Sequence, residues 1–94
     1  MEWKLKVYRS ALKFLEERIQ KSEREHIIEK LKELLDSLEK GVIPYSRLDI
    51  KKLKGKWRGF LRMRVGNVRI IFKMNLDERE VLIYSIHYRG QAYQ

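Results

Sequence analysis

Hydrophobic spacing along this chain switches from period two to helical and back again. From Trp3 to Tyr8, apolar and basic residues alternate, which predicts a short strand with Trp3, Leu5 and Val7 inward. The spacing then becomes helical: Ala11, Leu12, Leu15 and Ile19 form one stripe, with Phe14 at its edge and Ser10 placed to cap. The pattern lapses at Gln20-Lys21. Ser22, with Glu25 three residues on, reads as a capping box that opens a second helix striped by Ile27, Ile28, Leu31, Leu34, Leu35 and Leu38. Gly41 suits the position just past that helix, and Pro44 stops any continuation. The short gap between the helices predicts an antiparallel pair. A Leu-rich stripe can also be a partner-binding seam. The mixed signs of Glu23, Glu29, Lys30, Lys32 and Glu33 on the outer face favour core packing instead.

Val42 to Lys56 reads as a connector in which Tyr45, Leu48, Ile50 and Leu53 are spaced through basic residues. Three strands follow, over about Arg58 to Val65, Val68 to Met74 and Val81 to Tyr88. Gly66-Asn67 is a two-residue hairpin loop whose glycine supplies a positive φ at the first position. The order βααβββ predicts one small α+β domain over residues 1–94, an antiparallel sheet packed against the helix pair.

A two-residue loop fixes the hairpin register. Val65 then faces Val68, Arg64 faces Arg69, and Arg62 faces Ile71. Leu61, Met63, Val65, Val68, Ile70 and Phe72 share the face toward the helices. Phe60, Arg62, Arg64, Arg69, Ile71 and Lys73 share the other. Like charges directly opposed across strands are destabilising, and these two strands contain no Asp or Glu. An acidic neighbour from elsewhere in the chain would neutralise the cluster; the preferred reading is a polyanion site, most simply for an RNA backbone. In the last strand, Leu82, Tyr84, Ile86 and Tyr88 are expected inward, which puts Val81, Ile83, Ser85, His87 and Arg89 on the basic side. Lys51, Lys52, Lys54 and Lys56 line the approach. Trp57 and Phe60 lie among them, as base-stacking partners or, for Trp57 equally, as core edge.

Charge distribution sharpens this picture. The net charge is +9. Residues 1–41 hold ten Lys/Arg against nine Asp/Glu, whereas residues 42–94 hold twelve against four. Such a one-sided field attracts phosphates or an acidic protein. The absence of cysteine excludes disulfides, a thiolate nucleophile and a Cys-based zinc site; two distant histidines, His26 and His87, argue against a His-rich metal site. No apolar run approaches the roughly 18 residues of a membrane span, so a cytoplasmic protein is expected. The Lys, Arg and Glu content fits a heat-adapted source.

The leading strand and helix pair, DIKKLKG (Asp49 to Gly55), RMRVGNVRIIF (Arg62 to Phe72) and YRGQAY (Tyr88 to Tyr93) together resemble the RelE toxins of the RelE/ParE toxin–antitoxin superfamily, the archaeal members above all. The resemblance covers nearly the whole chain. It implies a RelE-like microbial ribonuclease-type fold and a ribosome-dependent mRNA interferase. Such an enzyme cuts the A-site codon by 2′-hydroxyl attack, with no metal and no cofactor. By position, Arg69 would hold the scissile phosphate, Arg89 would stabilise charge or assist the leaving group, and Tyr93 would lie near the 2′-hydroxyl. Arg62 and Arg64 would contact RNA, and Lys52 and Lys54 of the approach are expected, from their charge, to join them. Many bacterial relatives place His directly before the C-terminal arginine; here that residue is Tyr88, and the histidine is His87. Implied partners are the ribosome, mRNA and an acidic RelB-like antitoxin. The alternatives are a ParE-like DNA gyrase inhibitor and a non-catalytic RNA- or ribosome-binding module.

Overall fold

The computed structural model describes residues 2–90. Five strands form one sheet in the order β1-β5-β4-β3-β2: β1 (Lys4–Val7), β2 (Ile50–Lys52), β3 (Leu61–Val65), β4 (Val68–Asn75) and β5 (Glu80–Tyr88). Helix α1 (Arg9–Lys13) runs into a π-helical turn at Phe14–Arg18, and α2 spans Lys21–Glu39. At its two edges the sheet differs from the sequence expectation. β1 pairs with β5 in parallel, so the sheet is mixed. The supposed connector also contributes a strand, β2, antiparallel to β3 with Ile50 opposite Met63. Three residues bounded by turns leave too short a period-two signal to read.

One core joins both helices to one face of the sheet. Ala11, Phe14, Leu15 and Ile19 meet Ile27, Leu31, Leu34 and Leu38 over Met63, Ile70, Phe72 and Ile83. Phe14 is therefore core rather than edge, while Leu12 and Ile28 stay exposed. The π-helical turn begins at Phe14 itself, and its wider turn shifts the apolar stripe from that residue on; Leu12 and Ile28 lie outside it. Neither expected N-cap forms: Tyr8 and Gln20 occupy those positions, without side-chain capping bonds. The C-terminus of α2 does follow expectation. Gly41 has φ 79, its N–H donates to the Leu38 carbonyl at 2.9 Å, and the Val42 N–H donates to that of Ser37 at 3.0 Å. This pair of bonds is a Schellman motif.

The β3–β4 register is the expected one, Val65 opposite Val68 and Arg64 opposite Arg69. Gly66 (φ 58) carries the positive φ of the turn and Asn67 does not, which makes a type II′ hairpin. β5 departs from simple alternation. Ile71 pairs with Ser85 but Phe72 pairs with Ile83, so Tyr84 is the extra residue of a bulge. Val81 and Ile83 consequently face the helices, fully buried, and Leu82 and Tyr84 face away. Ile86 and Tyr88 point inward, and Ser85 and His87 outward, as expected.

Candidate nucleic-acid interface

With both helices on one face, the opposite face carries the remaining side chains, of which Arg62, Ile71 and His87 are buried. Its two central rungs follow from the pairing. Arg64, Arg69 and His87 lie side by side across β3, β4 and β5, and Lys51, Arg62, Ile71 and Ser85 form the next rung. Arg89 follows β5 directly, exposed at the strand end, and its N–H donates to the Asn67 carbonyl at 2.6 Å. Four of the predicted residues, Arg62, Arg64, Arg69 and Arg89, are thus gathered around the hairpin end of one face.

An acidic neighbour also reaches this cluster, contrary to expectation. Asp49 Oδ2 accepts from Nε of Arg64 at 2.9 Å, and its Oδ1 lies 3.7 Å from Nη2 of Arg62. Asp49 occupies the left-handed region with φ 52, which Asp tolerates better than most residues. The Arg64 hydrogen bond is the main cause holding its carboxyl below the usual aspartate range; charge from Arg64, Arg62 and Lys51 adds to it. Arg62, only 7% exposed, is a buried cation with this carboxylate beside it. Two arginines are therefore matched within the chain. The other two are not: among the described residues Arg69 and Arg89 form no ion pair, and the buried Nε of Arg69 has no hydrogen-bond partner.

His87 is buried beside Arg69, with Nδ1 3.4 Å from Ser85 Oγ. Burial, then the Arg69 charge, pushes its pKa below the ordinary histidine value, so the imidazole is neutral at neutral pH. Its burial also keeps it from presenting a proton acceptor to a large ligand. Tyr88 points the other way. Its hydroxyl lies 3.0 Å from Glu23 Oε1 and 3.3 Å from the Arg18 carbonyl, its ring stands edge-on to Phe14 at 5.3 Å, and burial followed by Glu23 raises its pKa. The residue preceding Arg89 thus clasps the sheet to the helices.

Lys52 and Lys54 are not in the arginine row. Lys52 pairs with Leu61, on the helix-facing side, and both lysines line an open groove of about 830 Å³ with Tyr45, Leu53, Met74 and Leu76. Lys51 takes the outward place on β2 instead. Trp57 packs edge-on against Phe60 and Tyr84 at 5.3 and 5.4 Å, which extends an aromatic patch beside the cationic one. Tyr93 lies outside the described residues.

The profile of the ParE toxin of type II toxin–antitoxin systems, parDE, matches residues 5–93. The chain belongs to the RelE/ParE toxin family. This family member is 36% identical over 67 residues, 71% of the chain and 73% of the relative, to a Methanocaldococcus jannaschii protein named as toxin RelE1. Its structure is similar to an archaeal RelE–RelB complex from Pyrococcus horikoshii (TM-score 0.77, 24% identity, 98% and 100% of the two chains). It is also similar to a RelB–RelE antitoxin–toxin complex from Methanococcus jannaschii (TM-score 0.69, 25% identity, 88% of each chain). Isolated E. coli RelE shares the fold (TM-score 0.71, 20% identity, 96% and 87%).

Asp49 is the residue of this RelE/ParE-type face that sequence reading missed; Lys51, expected only along the approach, stands in the row itself. The available signal was that Asp49 is the only acidic residue between Gly41 and Asp77.

Proposed function

We propose that this toxin is a ribosome-dependent endoribonuclease that cleaves mRNA in the A site. The observation that carries this reading is the pair Arg69 and Arg89, which form no ion pair among the described residues and lie next to a rung of further cations. A phosphodiester supplies the missing charge. The substrate 2′-hydroxyl gives its proton to solvent as its oxygen attacks the adjacent phosphorus, the P–O5′ bond breaks, and the departing 5′-oxygen takes a proton from solvent, leaving a 2′,3′-cyclic phosphate and a 5′-hydroxyl. Arg69 neutralises the pentacovalent oxyanion, and Arg89 stabilises charge on the departing oxygen. Tyr93 is assigned a place near the attacking hydroxyl. With His87 buried, no described group near the row offers an accessible base tuned near neutrality. Positioning and charge stabilisation must then supply most of the rate, which suits a substrate already held by the ribosome in the cytoplasm.

The proposed partner is an acidic RelB-like antitoxin. The groove supports this: it combines apolar residues with Lys52, Lys54 and Arg58 and has no carboxylate among the described residues that line it, a complement to an acidic amphipathic segment. The Pyrococcus and Methanococcus structures are themselves toxin–antitoxin complexes.

The test is a programmed ribosome carrying a defined A-site codon. Wild type should cut it, Arg69→Ala and Arg89→Ala should not, and both variants should remain folded. Full cleavage by both variants would reject the site. A second reading, poisoning of DNA gyrase, has the match to the ParE profile in its favour. Stabilised gyrase–DNA breaks with uncut mRNA would select it.

A further inference from the structure

Asp49, just before the edge strand β2, reaches onto the cationic face from its margin. Its backbone and side chain both engage Arg64, because the Arg64 N–H donates to the Asp49 carbonyl at 3.2 Å while Nε donates to the carboxylate at 2.9 Å. The second carboxylate oxygen lies toward Arg62 at 3.7 Å. One anion thus bridges two guanidinium groups through two oxygens, the arrangement a phosphate would adopt. The Asp49 side chain is 41% exposed and that of Arg64 36%. Asp49 takes only the Nε edge of Arg64, whose terminal nitrogens have no partner among the described residues. RNA that reaches the terminal nitrogens of Arg64 therefore comes within a few ångströms of the carboxylate, near enough to feel its charge.

We propose that Asp49 is a positioning residue that presets Arg62 and Arg64 and, through its own negative charge, holds down the affinity of the face for free RNA. The inference rests on the RNA reading of this face. It divides the arginines into a tempered pair, Arg62 and Arg64, and an open pair, Arg69 and Arg89. Loose RNA then gains little from the tempered pair, whereas a message fixed by the ribosome is presented to the open one. A purely structural ion pair would make Arg62 tolerable in a buried site and do nothing more. The two roles part on one measurement, binding of an unstructured oligoribonucleotide.

Asp49→Asn and Asp49→Gly both accept the left-handed backbone, so each removes the charge without straining the turn. Binding of a labelled single-stranded oligoribonucleotide would be followed by fluorescence anisotropy across a salt series. Both variants should bind about three- to tenfold tighter at low salt, the effect of removing one unit charge several ångströms from a phosphate in a high effective dielectric. The dependence of log affinity on log salt should steepen by about 0.7, as for one added phosphate contact on a single strand. The Arg69→Ala/Arg89→Ala double variant should bind weakly, which locates the binding on this face. If that double variant loses binding while both Asp49 variants bind as wild type or more weakly, Asp49 is a structural partner only and the inference falls alone. If wild type binds no oligoribonucleotide, or the double variant binds it undiminished, the RNA reading of the face falls and takes the inference with it.

Discussion

Arg69→Ala should remove activity while leaving stability nearly unchanged, unlike truncation of an ordinary partly buried residue. The side chain lies opposite Arg64 in the β3–β4 ladder and beside His87 in β5, and its Nε is buried without a described partner. Truncation removes a like-charge cross-strand pair, a gain of roughly 0.2–1 kcal/mol. It also relieves an unsatisfied buried donor, for which about 1 kcal/mol is a low estimate. Against this stands the lost burial of methylene groups at ~0.8 kcal/mol each when fully covered; Arg69 is only partly covered, so ~1–2 kcal/mol is lost. The balance lies within about 1 kcal/mol of zero, a shift of no more than about 4–8 °C in melting temperature for a domain of this size. Cleavage on programmed ribosomes should fall by roughly a hundredfold or more, as for the loss of one charge-stabilising donor. Urea denaturation with single-turnover cleavage on the same preparation tests both halves. A loss of stability above about 2 kcal/mol, beyond what the buried methylenes supply, would refute the reasoning, since Arg69 would then be a structural strut.

Two further predictions concern titration and packing. His87 has a depressed pKa, so the folded chain takes up this proton at lower pH than the unfolded chain does. Its contribution to stability is present above the ordinary histidine range and is lost as pH falls from that range through the lowered value; Arg69→Ala should raise the His87 pKa measured by NMR, and an unmoved titration would contradict the assigned neighbour. Tyr88→Phe should lower the melting temperature by removing the hydroxyl contact with Glu23. The raised Tyr88 pKa adds stability below the tyrosine range that disappears as pH climbs through it, and equal alkaline profiles for wild type and Tyr88→Phe would show that the clasp does not form.

The helices and the β3–β4 hairpin were legible because each signal was local. A helical stripe of leucines admits little else, and Gly66-Asn67 fixes register without help from the rest of the fold. From that register the arginine row followed directly. What stayed hidden depended on distance or on an irregularity. Asp49 stands 13 positions before Arg62 in the sequence, and only the formation of β2 turns it onto the row. β2 itself was missed because three residues show no usable period. The placing of Val81 and Ile83 failed because alternation was carried unbroken through Tyr84, where the ladder admits an extra residue. Lys52 and Lys54 were drawn to the interface by charge alone, whereas strand parity sends Lys52 to the groove and selects Lys51.

That extra residue at Tyr84 makes the length of β5 as consequential as its composition. A chain one residue shorter there would restore an uninterrupted ladder, yet it could keep either Val81 and Ile83 under the helices or His87 and Arg89 beside Arg69, never both. Relatives that gain or lose a residue in this strand must therefore compensate within a few positions, or else trade a sound interior for a working surface.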